Sequence, residues 1–187
     1  MRKLRKKVRG DSGLVRRRLS ISINNQVIHG VPSKKRIVKD GDIISLDIGL
    51  NLKGYISDST HTVLVGNVKP AHQKLCRVTR ECLLAGIDAC KAGNRISDIS
   101  NAVYDIAYNQ NKYGVVYEYC GHGVGLEVHE DPSVCNCPST GPNPRIQAGM
   151  VLAIEPMINS SRQLLWFSLV FSIYFPRNSA VPSGKHP

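Results

Sequence analysis

The chain has 187 residues, 42% of them hydrophobic and 21% charged, which suits one globular domain with its own core. Its formal net charge of +11 is unevenly placed. Residues 1–20 carry nine Lys or Arg against Asp11 alone, so the excess belongs to an arm and the rest is close to balance. The arm has no apolar h-region and little Ser, which excludes a secretory signal and argues against a transit peptide. A basic tail of this kind is either a solvated, disordered arm or one that holds polyanions such as ribosomal RNA through phosphate contacts. No aromatic residue interleaves the charges, so base stacking is not indicated. Six cysteines without a signal argue for free thiols in a reducing, cytoplasmic compartment.

In chain order, "SISINNQVIHGVP" alternates apolar and polar residues and stops at Gly30 and Pro32, predicting a strand and a turn. "KDGD" then opens a hairpin, with Asn51, Leu52, Lys53 and Gly54 as its turn. Ile44, Leu46, Ile48 and Leu50 share one face of its first strand, and Ser45, Asp47 and Gly49 the other. Folded about the middle of that turn, Leu50 meets Tyr55, Ile48 meets Ser57, and Asp47 meets Asp58. Like charges directly opposed are destabilising, so a cation is expected between them. Oxygen ligands on such a face suit a divalent ion, while two solvated acids on an exposed face are the alternative.

From Pro70 to Gly93, Leu75, Val78, Cys82, Ala85 and Ala89 recur at three and four residues, predicting an amphipathic helix stopped by Gly93. A second helix is expected from Ser97 as N-cap, with Ile99, Val103 and Ile106 inward and Gly114 just past its end. "VVYEYC" reads as a strand, the Pro-rich stretch 132–144 as a loop, and "MVLAIEPMIN" as a further strand. That strand places Val151, Ala153 and Glu155 on one face. The fold class is therefore α+β, a largely antiparallel sheet with helices on one side. The apolar run Leu164–Phe175 is too short to span a bilayer, so no membrane segment is expected.

His29, His122, His129 and Glu155 sit beside glycine or at strand ends, where side chains converge on clefts, and the glycines flanking His122 allow close backbone approach to a ligand. Cys120, His122, His129, Cys135 and Cys137 could also be assembled into a zinc site, although no Cys-x-x-Cys pair anchors one. "SISIN", "HGVP", "KDGDIISLDIGLNLKGYISDSTHTVLVG", "YCGHGVGLEVHEDP" and "AGMVLAIEPMIN", in this order over residues 20–159, resemble the type I methionine aminopeptidases of the pita-bread metallopeptidase fold.

That resemblance implies a curved sheet with helices on one face and two divalent metal ions, cobalt, manganese, iron or zinc. Their ligands would be Asp47, Asp58, His122 and Glu155, with Asp58 bridging. Metal-activated water would then release the N-terminal methionine of nascent proteins or peptides. Glu155 would shuttle a proton, His129 would hydrogen-bond the reacting carbonyl oxygen, and His29 with His129 would contact the substrate. The organisation expected is a basic, disordered arm at 1–19, a metallo-aminopeptidase-like domain at 20–159 and a divergent tail at 160–187, in a cytoplasmic monomer with possible ribosome contact through the arm.

The sequence departs from the family pattern in three places. The family has a further bridging glutamate beyond the "EPMIN" segment, and no Asp or Glu follows Glu155 here. Ser20 stands where the family has a pocket cysteine, and Val128 where it has an aromatic. The chain is thus expected to be the core of such an enzyme with both ends altered, a truncated or frame-disrupted copy. Two other readings remain. "GLEVHEDP" and "GYISDSTHTV" are also similar to Xaa-Pro aminopeptidases and prolidases, which share the fold and metal set, and a non-catalytic peptide- or ribosome-binding module would need no complete ligand set.

Overall fold

Lys53 and Gly54 both hold positive φ, 54° and 90°, as a two-residue type I′ hairpin loop requires. In this computed structural model, which describes residues 15–160, they join strand β2 (Ile43–Leu52) to strand β3 (Tyr55–Leu64). The tight turn sets the register, with Leu52 opposite Tyr55, Gly49 opposite Asp58 and Asp47 opposite Thr60. This corrects the expected pairing of Asp47 with Asp58, which assumed a turn centred one residue earlier. The slip is two residues, so parity is kept, and the two acids remain on one face as diagonal neighbours.

Strand β1 (Val15–Ile23) completes an antiparallel sheet in the order β1–β2–β3. Its pairing runs from Val15 opposite Leu52 to Ile23 opposite Ile44, so the strand begins inside the segment read as an arm. Ser22, Ser45, Asp58, Thr60 and Thr62 on the polar face are buried. On the other face Leu19, Ile48, Leu50 and Val63 are exposed by 37–46%.

Helix α1 (Pro70–Ala89) opens on Pro70, whose missing N–H is harmless in a first turn, and buries Leu75, Val78, Cys82 and Gly86 on one stripe. It ends four residues before Gly93, which turns the chain with φ +97°. Helix α2 (Ile96–Tyr104) is capped at Arg95 rather than at Ser97, because the Asp98 carboxylate accepts the Arg95 N–H at 2.7 Å. It continues into a π-helical turn, Asp105–Gln110, which buries Ala107. A Cβ on Gly86 would come within 3.1 Å of Ile154 and 3.2 Å of Val103. Glycine there lets α1 lie against α2 and against the segment that carries Glu155.

The remaining strands are short. Strand β4 (Gly114–Val115) pairs with β8 (Ile158–Asn159), and β5 (Gly121–Gly123) lies between β6 (Glu130–Val134) and β7 (Leu152–Ala153). The described residues thus form three antiparallel sheets with helices, an α+β arrangement. Three expectations change. The "VVYEYC" strand shrinks to its first residue, Val115, Pro132 lies within β6 and not in a loop, and "MVLAIEPMIN" is two strands. The last break falls around Glu155 and Pro156, where proline has no N–H to offer a ladder. Leu75, Val78, Cys82, Val103 and Ile158 pack one core, and Cys90, Ile99, Val134, Leu152 and Ile154 a second. The apolar run Leu164–Phe175 lies outside the described residues.

Candidate metal centre

Six segments deliver the polar side chains singled out in the sequence. Asp47 comes from β2, Asp58 from β3, His122 from β5, and Glu155 from the break after β7, while His29 and His129 stand on loops. All six line one small cavity of about 40 Å³. The glycines around His122 work differently from the expectation of ligand approach. A Cβ on Gly121 would lie 2.0 Å from the Ala153 carbonyl oxygen, and one on Gly123 2.4 Å from that of Asp131. Their bareness lets β5 fit between β6 and β7, which fixes His122 at the cavity. His29 has φ 58°, a left-handed conformation seldom kept by a residue with a side chain.

One ligand atom each from Asp58, His122 and Glu155 lies within 4.8 Å of the others. His122 Nε2 stands 3.8 Å from Asp58 Oδ2, and its Nδ1 is 2.8 Å from the Gly123 carbonyl oxygen. With Nδ1–H donating to that carbonyl, Nε2 presents its lone pair to the cavity, the arrangement a metal-binding imidazole uses. The rings of His122 and His129 meet edge to face at 4.3 Å.

The acids crowd one another. Burial, then the charges of Asp58 and Asp47, push the Glu155 carboxyl up to about 8. Burial and Asp58 likewise raise Asp47. Asp58 Oδ1 is buried without a hydrogen-bond partner, an exception to the general satisfaction of buried polar atoms. A divalent cation would answer all of these features, since it takes oxygen and imidazole ligands and neutralises like charges. The cavity exceeds the roughly 10–15 Å³ that one water needs, so the residues present fit small ions. Asp47 lies outside the 4.8 Å group and borders the same cavity. Among the described residues, Cys120, His122, His129, Cys135 and Cys137 do not form such a group.

Some contributors were not singled out as site residues in the sequence. Ser22, Ser45 and Thr60 line the cavity, and Thr60 stands directly opposite Asp47. Alternation from Asp58 would have found Thr60, since i and i+2 share a face. Asn136 donates its side-chain amide to the Glu155 carbonyl oxygen at 2.7 Å, a buried bond across 19 residues that no local pattern signals.

The sequence matches Metallopeptidase family M24 over residues 7–178. The chain belongs to this family. Membership of a metallopeptidase family agrees with the divalent-metal site that the acids and His122 outline. A methionine aminopeptidase of Treponema pallidum is 59% identical over 139 residues, covering 74% of this chain and 54% of that protein. Methionine aminopeptidase 1 of Bacillus subtilis is 46% identical over 142 residues, 76% of this chain and 56% of its own. The chain therefore spans about half the length of the curated relatives it matches. Among solved structures, the methionine aminopeptidase of Thermotoga maritima superposes with a TM-score of 0.73 at 33% identity, over 83% of this chain and 66% of that one. Prolidase from Pyrococcus furiosus gives 0.71 at 27% identity, over 86% of this chain and 46% of that one. The pita-bread architecture is thus the fold of this M24 chain. No helix among its described residues is long and apolar enough to cross a membrane.

Proposed function

We propose that this M24 chain is a metal-dependent aminopeptidase that removes the N-terminal methionine of nascent proteins or peptides. The observation that carries the reading is the convergence of His29, Asp47, Asp58, His122, His129 and Glu155 on one cavity. In this reading Asp47, Asp58, His122 and Glu155 would hold two divalent ions. Such ions, when bound, polarise the scissile carbonyl and make a water acidic. Glu155, ionised in its metal-holding form, would take a proton and return it to the leaving amine. His129, edge-on to His122, donates a hydrogen bond to the carbonyl oxygen as charge develops there. His29, beside Tyr119 at 6.4 Å between ring centres, positions the peptide.

Four candidate ligands, Asp47, Asp58, His122 and Glu155, border the cavity among the described residues. The basic residues of the first 20 positions would bring the chain to ribosomal RNA in the cytoplasm. The deciding experiment is calorimetric titration of manganese into the wild-type chain and into Asp58→Ala, followed by assay on Met-starting peptides. Saturable binding lost in the variant, with release of methionine, supports the reading. A wild-type chain that binds no manganese refutes it.

A further inference from the structure

The ladder that carries His122 ends on two thiols. Gly121 stands opposite Val134 in the β5–β6 pairing, so continuing the register by one residue sets Cys120 opposite Cys135. The Cys135 and Ser133 side chains lie near enough to the Cys120 thiol to perturb it, and burial raises that thiol above its ordinary value. Both thiols are half-buried, whereas Cys82 and Cys90 have no exposed surface. Directly opposed residues of an antiparallel pair have Cβ atoms about 4.5–5.5 Å apart. A disulfide needs about 3.5–4.5 Å, so closure by roughly 1 Å suffices.

We infer that Cys120 and Cys135 form a reversible disulfide, an oxidative modification site built onto the strand that carries His122. The reactant is a small hydroperoxide. One thiol sulfur attacks a peroxide oxygen, breaking the O–O bond to give a sulfenic acid and water, and the second thiol displaces that hydroxyl as a second water. Two thiols and one hydrogen peroxide thus become one disulfide and two waters, and a thiol reductant reverses the change. In a reducing compartment the resting form is the free thiol pair, as transient, redox-sensing disulfides require.

The bond reaches the cavity from both sides. Cys120 lies two residues before His122, and Cys135 adjoins Asn136, which holds the Glu155 carbonyl oxygen. Drawing the strand ends together moves the supports of two candidate ligands at once. Losing such a support typically weakens metal binding about 10- to 100-fold.

The test treats the full chain with hydrogen peroxide and reads intact mass, then maps the link after Glu-specific cleavage, which cuts at Glu127 and Glu130 between the two cysteines. The expected result is loss of two hydrogens, with Cys120 joined to Cys135, retained in Cys137→Ser and abolished in Cys135→Ser. A link between Cys135 and Cys137, a link only between chains, or oxidation of single cysteines would overturn the inference. The coupling to the cavity, which rests on the proposed metal reading, is tested by manganese titration before and after oxidation. Binding weakened about 10-fold or more and restored by dithiothreitol is expected, and equal binding by the two forms overturns the coupling. A reduced chain that binds no manganese would overturn the metal reading, while the mapped link decides the thiol pair independently.

Discussion

Glu155 offers a stringent test of the cavity electrostatics. Its carboxyl is raised from an ordinary 4.5 to about 8, chiefly by burial and then by Asp58 and Asp47. Between those values the native chain keeps a proton that the unfolded chain has lost, so the native state binds more protons and stability falls as pH rises. The contribution is complete below the unfolded value and is drained as pH approaches 8. Integrating the linkage relation between pH 5 and pH 8 gives a loss of about 3–4 kcal/mol from this group alone, an order-of-magnitude figure. Glu155→Gln keeps the shape and removes the titration. Urea unfolding of the chelator-treated protein at pH 5 and at pH 8 should therefore show a steep loss of stability in the wild type and a markedly shallower one in the variant. Excess manganese should reverse the wild-type trend, because the ligand form of the carboxylate is the ionised one and binding to the native state stabilises it. Equal pH dependence in wild type and variant would refute the reasoning, since it would mean that Glu155 ionises in the native chain as it does in the unfolded one.

Other perturbations test the scaffold and the ligands separately. Gly121→Ala places a methyl 2.0 Å from the Ala153 carbonyl oxygen and should destabilise by about 3 kcal/mol, read as a lower urea midpoint, because backbone must move to admit it. Asn136→Ala leaves the Glu155 carbonyl without its 2.7 Å donor and should cost about 1–3 kcal/mol in the same assay. Leu75→Ala, at a position with no exposed surface, should cost about 2–5 kcal/mol and leave the manganese stoichiometry unchanged, which separates core from site.

The order of elements was legible because it is written in short-range signals. Lys53–Gly54 announces a hairpin, and the spacing of Leu75, Val78 and Cys82 announces a helix. The register was not, because a one-residue error in the turn centre becomes a two-residue error across the ladder. The site survived that error because parity decides which face a side chain takes. The cap of α2 was misplaced because Ser97 has the side chain of an N-cap, while the Asp98 carboxylate settles the matter by reaching the Arg95 N–H. The Pro132 strand and the break at Glu155–Pro156 depend on neighbours distant in sequence, which no local rule contains.

Burial was the deepest gap. Alternation in β2 established two faces, and the ordinary expectation is that Leu46, Ile48 and Leu50 turn inward. Instead, Ser45 is 5% exposed while Ile48 and Leu50 are 38% and 37% exposed. The inversion has a chemical logic. An ion between Asp47 and Asp58 would be held more tightly on an enclosed face, since water would otherwise solvate the acids and weaken their attraction for it. Enclosure in turn raises the charge penalty that leaves Glu155 protonated and Asp58 Oδ1 without a partner. The polar interior is thus unfavourable for the empty fold and favourable for a cation. A buried face of serines, threonines and acids is the mark of a sheet built around what it binds.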